Sequence, residues 1–355
     1  MRNNGLRLAN MALAASGLVS VITLSVTGQA PAAHGQRSPV APRAEAVKST
    51  VNEAYEQFRA DTSGRNADYI PALAKVDSKL FGIAVVTTDN RNHTVGDVTA
   101  PFSIQSVSKV FSLALAMEEV GADKVFEKVG SEASGRPFNS VSAVVDMPTH
   151  TGNPLVNAGA IATVSLISGN AADKWTKILT FYSRAAGERL TMMQDIYESE
   201  AATNQGNRAL AALLLKYERI YADPLESVDV YTKQCSVGVN ARQLAVMGAT
   251  LANNGVNPVT GERVIRAENV PEILSAMSTA GLYDSSGGWS WHVGLPAKSG
   301  VGGGIVAVVP GKGAIAVFAP PLDEAGNSVK AQKVISYVAR KLDYNVFSPQ
   351  SVGVK

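Results

Sequence analysis

The sequence predicts an α+β protein: one antiparallel sheet drawn from both ends of the folded part, flanked by helices, with an all-helical domain inserted between the halves. Three observations carry this. A β-branched run with a polar turn at Asp89-Asn90, "FGIAVVTTDNRNHTVGDV" (81–98), reads as a hairpin. A second hairpin, "GIVAVV" and "AIAVF" around Pro310-Gly311-Lys312-Gly313, lies near the end. Between about 122 and 281 the pattern is mainly helical, punctuated by Gly, Asn and Pro.

Taken in order, the first 33 residues have the layout of a secretory signal peptide. Arg2 and Arg7 precede the apolar run "MALAASGLVSVITLSV" (11–26), and Ala30-Pro31-Ala32 offers a small-x-small cleavage site. The run is shorter than the roughly 20 residues of a membrane span, so the mature form is expected without a membrane partner; an uncleaved anchor is the alternative. Residues 34–48, with Pro, Ala and scattered charge, read as a linker, and the folded part is expected over 49–345 with a tail over 346–355. Its sheet part spans about 49–121 and 282–345, and its helical insertion about 122–281.

"STVNEAYEQFRADTSGRNADYIPALAKVD" (49–77) suggests an amphipathic helix, a turn at Ser63-Gly64 and a short helical piece carrying Tyr69. After the first hairpin comes "IQSVSKVFSLALAMEEVG" (104–121), apolar on nearly every side through Val110, Phe111, Ala114, Leu115 and Met117. Such a helix is buried. Within the insertion, "NARQLAVMGATLANNG" (240–255) marks its own start, with Asn240 as N-cap and Gln243 completing a capping box. A closing helix covers about Ser328–Leu342.

The 355 residues are 46 % hydrophobic and 17 % charged with a net charge of +2, and no Lys/Arg-rich run occurs. That describes a compact protein with no electrostatic reason to bind nucleic acid or an anionic membrane. Cys235 is the single cysteine, so no intramolecular disulfide can form, and a buried apolar role is expected of it. The four histidines, His34, His93, His150 and His292, have no metal-site spacing, so no metal is expected. Gly302-Gly303-Gly304 precedes a strand rather than a helix, which argues against a phosphate cradle. No GxSxG turn is present to begin a Ser-His-Asp triad.

Ser106 and Lys109 are different. Three apart on a helix they share a face, so the amine can reach the hydroxyl. A serine hydroxyl becomes a nucleophile when a base takes its proton, and a desolvated lysine can be that base. The helix mouth adds free N–H groups for a developing oxyanion. A surface serine beside a solvated lysine is the bland alternative. It fits poorly, because the lysine would enter an apolar helix unpaired. Lys298-Ser299-Gly300 then resembles the K-T/S-G strand that serine β-lactamases and penicillin-binding proteins combine with S-x-x-K. There the strand edge supplies a cation, and Val301 a second oxyanion N–H beside that of Ser106. Ser168 and Asn170 in "ISGN" mimic the S-x-N motif of the same enzymes, but read as a helix stop with Gly169-Asn170 as C-cap.

Longer stretches decide the matter. "ADYIPALA" (67–74), "GIAVVTTD" (82–89), "FSIQSVSKVF" (102–111), "GNPLVNAGAIA" (152–162), "ESEAATNQGNRALA" (198–211), "YTKQCSVGVN" (231–240), "KSGVGGGI" (298–305) and "AVFAPPLDEAGNSV" (316–329) resemble, in order, the serine-dependent glutaminases of the β-lactamase-like fold. The resemblance implies hydrolysis of L-glutamine to L-glutamate and ammonia through a γ-glutamyl-serine ester, without a cofactor. It implies Ser106 as nucleophile, Lys109 as its base and Tyr231 as a second acid/base. Tyr69, Asn157, Glu200, Asn207 and Tyr283 would line the glutamine pocket, and Val301 would complete the oxyanion hole. A homodimer or homotetramer is expected. Most bacterial members are cytoplasmic, so the N-terminal extension points instead to an exported form.

The chemistry agrees with those assignments. Free glutamine carries an ammonium and a carboxylate; Glu200 suits the first, and Asn and Tyr side chains the second. Glu200 and Asn207 share a face if one helix continues through Gly206. Each residue also has a plain structural reading: packing for Tyr69 and Tyr283, a helix cap for Asn157, a solvated face for Glu200, strand or turn packing for Tyr231. Rival functions are a penicillin-interacting acyl enzyme on the same fold and a catalytically silent amino-acid-binding protein.

Overall fold

The computed structural model describes residues 44–348. The expected signal peptide (1–33) and the tail beyond residue 348 lie outside the described residues.

Eight strands form two sheets: β1 (Gly82–Thr87), β2 (Asn92–Gly96), β3 (Phe102–Ser103), β4 (Thr191–Met192), β5 (Val237–Val239), β6 (Ala297–Ser299), β7 (Gly304–Val309) and β8 (Gly313–Phe318). The main sheet runs β2-β1-β8-β7-β6, and every neighbouring pair is antiparallel. Strands from the two ends of the chain therefore meet at its centre, Gly82 facing Phe318. The β7 and β8 runs are buried on both faces, and β1 at all but its last residue. Ile83, Val85, Ile305, Ala307, Ile315 and Val317 point to one face, where helices Ala44–Phe58 and Val329–Lys341 cover them. Ala84, Val86, Val306, Val308, Ala314 and Ala316 point to the other.

That second face is covered by helix Ala241–Ala252. Asn240 and Gln243 form the capping box that the sequence announced. Gly248 lets this helix sit close: a Cβ there would lie 2.6 Å from Val306 Cγ2 and 2.7 Å from the Ala314 methyl. Although it belongs to the 122–281 stretch, this helix is thus one layer of the sheet half.

Helix Ser108–Val120 is buried from Ser108 through Met117, as its all-round apolar character required. Around it pack Asn157–Leu166, Ala171–Ala186 and Val270–Ala280. The small sheet β3-β5-β4 went unread in the sequence, because strands of two or three residues show no alternation.

Two local expectations are corrected. The first helix reaches back to Ala44, into the stretch read as linker, because Val47, Val51 and Ala54 form a buried stripe. Asn170 does not stop a helix: it starts Ala171–Ala186, in a capping box with Asp173. The preceding helix has already ended at Leu166.

Candidate active site

The chain leaves β3, tightens into a 3-10 turn at Gln105–Val107 and enters helix Ser108–Val120. Gln105 takes the left-handed φ of +48°, which for a side chain of this kind costs on the order of 1–3 kcal/mol. This strained corner sets Ser106 at the helix mouth. Lys109 is 1 % exposed, and its Nζ donates to Ser106 Oγ at 2.8 Å and to Asn157 Oδ1 at 2.7 Å. Burial pulls its pKa down to about 8, against the opposing pull of the Cys235 and Glu200 charges. The amine is therefore in contact with the hydroxyl, and its lowered pKa brings the neutral form that a base needs within reach just above neutral pH.

Asn157 joins the rest. It opens helix Asn157–Leu166, and its Oδ1 also accepts from the Tyr231 hydroxyl at 3.0 Å. Its Nδ2 donates to Asn207 Oδ1 at 2.9 Å. Tyr231 lies in the last turns of helix Pro224–Cys235, not in a strand or turn, and is buried with its ring facing Lys109 at 5.6 Å. Burial raises its phenol well above the usual value.

Glu200, on helix Gln194–Ala202, is buried rather than on a solvated face. Its Oε2 accepts from Gln105 Nε2 at 3.2 Å. Burial raises its pKa to about 7, tempered by that hydrogen bond and by the Lys109 charge. The helix breaks after Ala202, and Asn207 stands on a second helix, Gln205–Lys216, so no single face carries the pair.

Tyr283 begins a second 3-10 turn, also at a left-handed φ of +57°. Its hydroxyl donates to the Ser299 carbonyl at 3.3 Å, and its ring packs on Phe138 with centroids 4.7 Å apart. Burial pushes the phenol up, against hydrogen bonding to Ser106 and Ser299. Tyr69 is half exposed and, with Phe138, lines an open cavity of about 760 Å³.

The loop between β6 and β7 meets the Ser103–Ser106 segment backbone to backbone. A Cβ on Gly300 would lie 2.8 Å from the Ile104 carbonyl and 3.3 Å from Ser106 N, and one on Gly302 would strike the Ser103 carbonyl. Only glycine allows that approach. It brings buried Val301 opposite Ser106, and among the described residues neither amide donates to a backbone carbonyl.

Lys298 departs from expectation. The strand edge was expected to offer its cation to the site, but Lys298 is fully buried and spends its hydrogen bonds on the carbonyls of Gly281 and Ser299. Cys235 is buried beside Ser108, its thiol pushed up to about 12 by burial, which leaves it a poor nucleophile. Ser168 lies at the far end of helix Ser108–Val120, where its N–H donates to Glu119. Among the described residues, no three His, Cys, Asp or Glu side chains gather where a metal ion could be held.

The sequence reading passed over Gln105 and Phe138. Gln105 directly precedes Ser106, and its burial needs a partner such as Glu200. Phe138 had no local signal.

Comparison with known proteins identifies the family of the chain. Residues 64–347 match the family model described as glutaminase. A glutaminase of Colwellia psychrerythraea is 54 % identical over 307 residues, spanning 86 % of this chain and 99 % of its own. Glutaminase 1 of Shigella flexneri is 50 % identical over 308 residues, 86 % of this chain and 98 % of its own. Among solved structures, the probable glutaminase YbaS superposes with a TM-score of 0.85 at 49 % identity, over 86 % of this chain and 99 % of that one. A probable glutaminase from Bacillus subtilis, complexed with 6-diazo-5-oxo-L-norleucine, gives 0.75 at 32 % identity, over 85 % and 96 %. The family match over residues 64–347, with relatives half identical along nearly their whole length and of the same fold, places the chain in the glutaminase family.

Proposed function

We propose that the chain carries out the reaction of its family, L-glutamine plus water giving L-glutamate and ammonia, through an ester on Ser106. Lys109 takes the Ser106 proton as Oγ bonds to the side-chain carbonyl carbon. The resulting oxyanion sits between the N–H groups of Ser106 and Val301. As the C–N bond breaks, the proton passes to the leaving nitrogen, and ammonia departs. Tyr231, linked to Lys109 through Asn157 Oδ1, serves this transfer as a second acid/base. Water then gives a proton to Lys109 as its oxygen bonds to the γ-glutamyl carbon; the ester C–O bond breaks, Lys109 returns the proton to Ser106 Oγ, and glutamate leaves. Glu200 takes the substrate ammonium, whose charge draws the carboxyl into its ionised form. Asn157, Asn207, Tyr283 and Tyr69 receive the remaining polar groups of the amino acid.

The observation that supports this most strongly is the 2.8 Å contact between a fully desolvated lysine amine and the hydroxyl at the helix mouth. The test is an ammonia assay on Ser106→Ala beside acid-quenched mass spectrometry of the wild type during turnover. We expect a silent variant and a γ-glutamyl adduct on the peptide bearing Ser106; wild-type turnover by Ser106→Ala would refute it. We further propose an assembly of two or four chains and, from the arginine-apolar-small layout of residues 1–33, export from the cytoplasm. Light scattering and cell fractionation test these.

A further inference from the structure

Lys298 is a motif residue that the reaction above leaves without work. It is fully buried, and burial, followed by the Lys109 charge, drives its pKa well below the usual lysine value. A buried amine persists only where its donors are satisfied, and here both partners are main-chain carbonyls. Nζ donates to Gly281 O at 2.8 Å and to Ser299 O at 2.7 Å.

These two carbonyls belong to the structures that hold Tyr283. Gly281 precedes it by two residues, and a side chain at Gly281 would run into the carbonyls of Ala297 and Met277, so the turn is pressed against β6. Gly281 O also accepts from Ser299 N at 3.2 Å. The Ser299 carbonyl is the acceptor that the Tyr283 hydroxyl uses at 3.3 Å. Lys298 Nζ stands 4.1 Å from the centroid of the Tyr283 ring. One amine thus touches the ring face, shares the hydroxyl's acceptor and ties down the entry to a residue held at a left-handed φ of +57°. The Ser299 carbonyl thus accepts from the amine at 2.7 Å and from the Tyr283 hydroxyl at 3.3 Å, and that hydroxyl has Ser106 as its other neighbour.

We infer that Lys298 is a positioning residue: it fixes the Gly281–Tyr283 turn on strand β6 and sets the Tyr283 hydroxyl toward Ser106, without itself contacting substrate. This rests on the acyl-enzyme reading of Ser106. The strand lysine of the K-S-G motif has here moved from the cleft to the scaffold behind a tyrosine.

The test is a double-mutant cycle on the full-length protein with Lys298→Met and Tyr283→Phe, read as kcat and kcat/KM for glutamine. Lys298→Met alone should lower kcat between about 10- and 100-fold, the usual toll of misplacing a reacting group. In the Tyr283→Phe background it should cost no more than about 3-fold further, because its target is already gone. Full multiplication of the two effects would overturn the proposal. So would a shift of the rising pH limb set by Lys109 at about 8, since that would mean Lys298 acts on the base by charge. If Lys298→Met does not fold, Lys298→Gln, which keeps one donor in reach, carries the same cycle. Ser106→Ala run alongside separates the two ideas. Ammonia release by that variant defeats the acyl-enzyme reading, whereas multiplicative Lys298 and Tyr283 effects with Ser106→Ala silent defeat only the Lys298 assignment.

Discussion

Replacing Lys109 by methionine should abolish most activity and stabilise the protein at the same time. The amine has been moved from an ordinary 10.5 to about 8 by burial. The folded state therefore binds fewer protons than the unfolded chain between those values, so its stability rises with pH across that window. Below about 8 the full cost of holding the lysine buried is present, roughly 3 kcal/mol for a displacement of this size. Methionine fills the same space without that cost. It also forfeits the hydrogen bonds to Ser106 and Asn157, worth about 1 kcal/mol each. The net expectation is a variant about 1 kcal/mol more stable than wild type at pH 6 and less stable by pH 10.5. Turnover should fall about 10²- to 10⁴-fold, the worth of a positioned base. Denaturant melts at several pH values together with an ammonia assay read both quantities. A stability difference that does not change with pH would refute the reasoning about the buried amine. A variant with only a raised KM would refute its role as base.

Three further outcomes are expected. Wild-type kcat/KM should climb with pH through about 7 and again through about 8, as Glu200 and then Lys109 shed protons; Glu200→Gln should remove the lower step and raise KM at least about 10-fold while sparing kcat more, as steady-state kinetics would show. Gly300→Ala forces a methyl to within 2.8 Å of the Ile104 carbonyl and should cost about 10²-fold in kcat by prising Val301 from Ser106, with the far-ultraviolet spectrum unchanged. Asn170→Ala removes a helix cap far from the chemistry and should lower stability by about 1 kcal/mol with kcat intact, which a melt and an assay together decide.

Much of this was legible in the residues. The hairpins at 82–96 and 304–318 and the buried helix at 108–120 carry strong periodic signals, and each formed where the pattern put it. Ser106 with Lys109 could be read as chemistry because an apolar helix cannot absorb a lysine without purpose. What stayed hidden depends on contacts distant in sequence. Asn157 as the hub joining Lys109, Tyr231 and Asn207 is set by four helices meeting, which no local spacing encodes. The break after Ala202 separates Glu200 from Asn207, and the composition of "AATNQGN" left it open. Lys298 was misplaced because a motif records the residue but not the direction in which its side chain leaves the strand.

At the centre of the main sheet, β1 pairs with β8, joining Thr87 to Gly313 and Gly82 to Phe318 across most of the polypeptide. Closing so wide a loop is slow and waits on a late segment. A ribosome delivers Ser106 and Lys109 long before it makes the strand that must face them. The sheet is therefore closed in one late event, and a polypeptide cut short before residue 313 would carry Ser106 and Lys109 with no β8 to complete it.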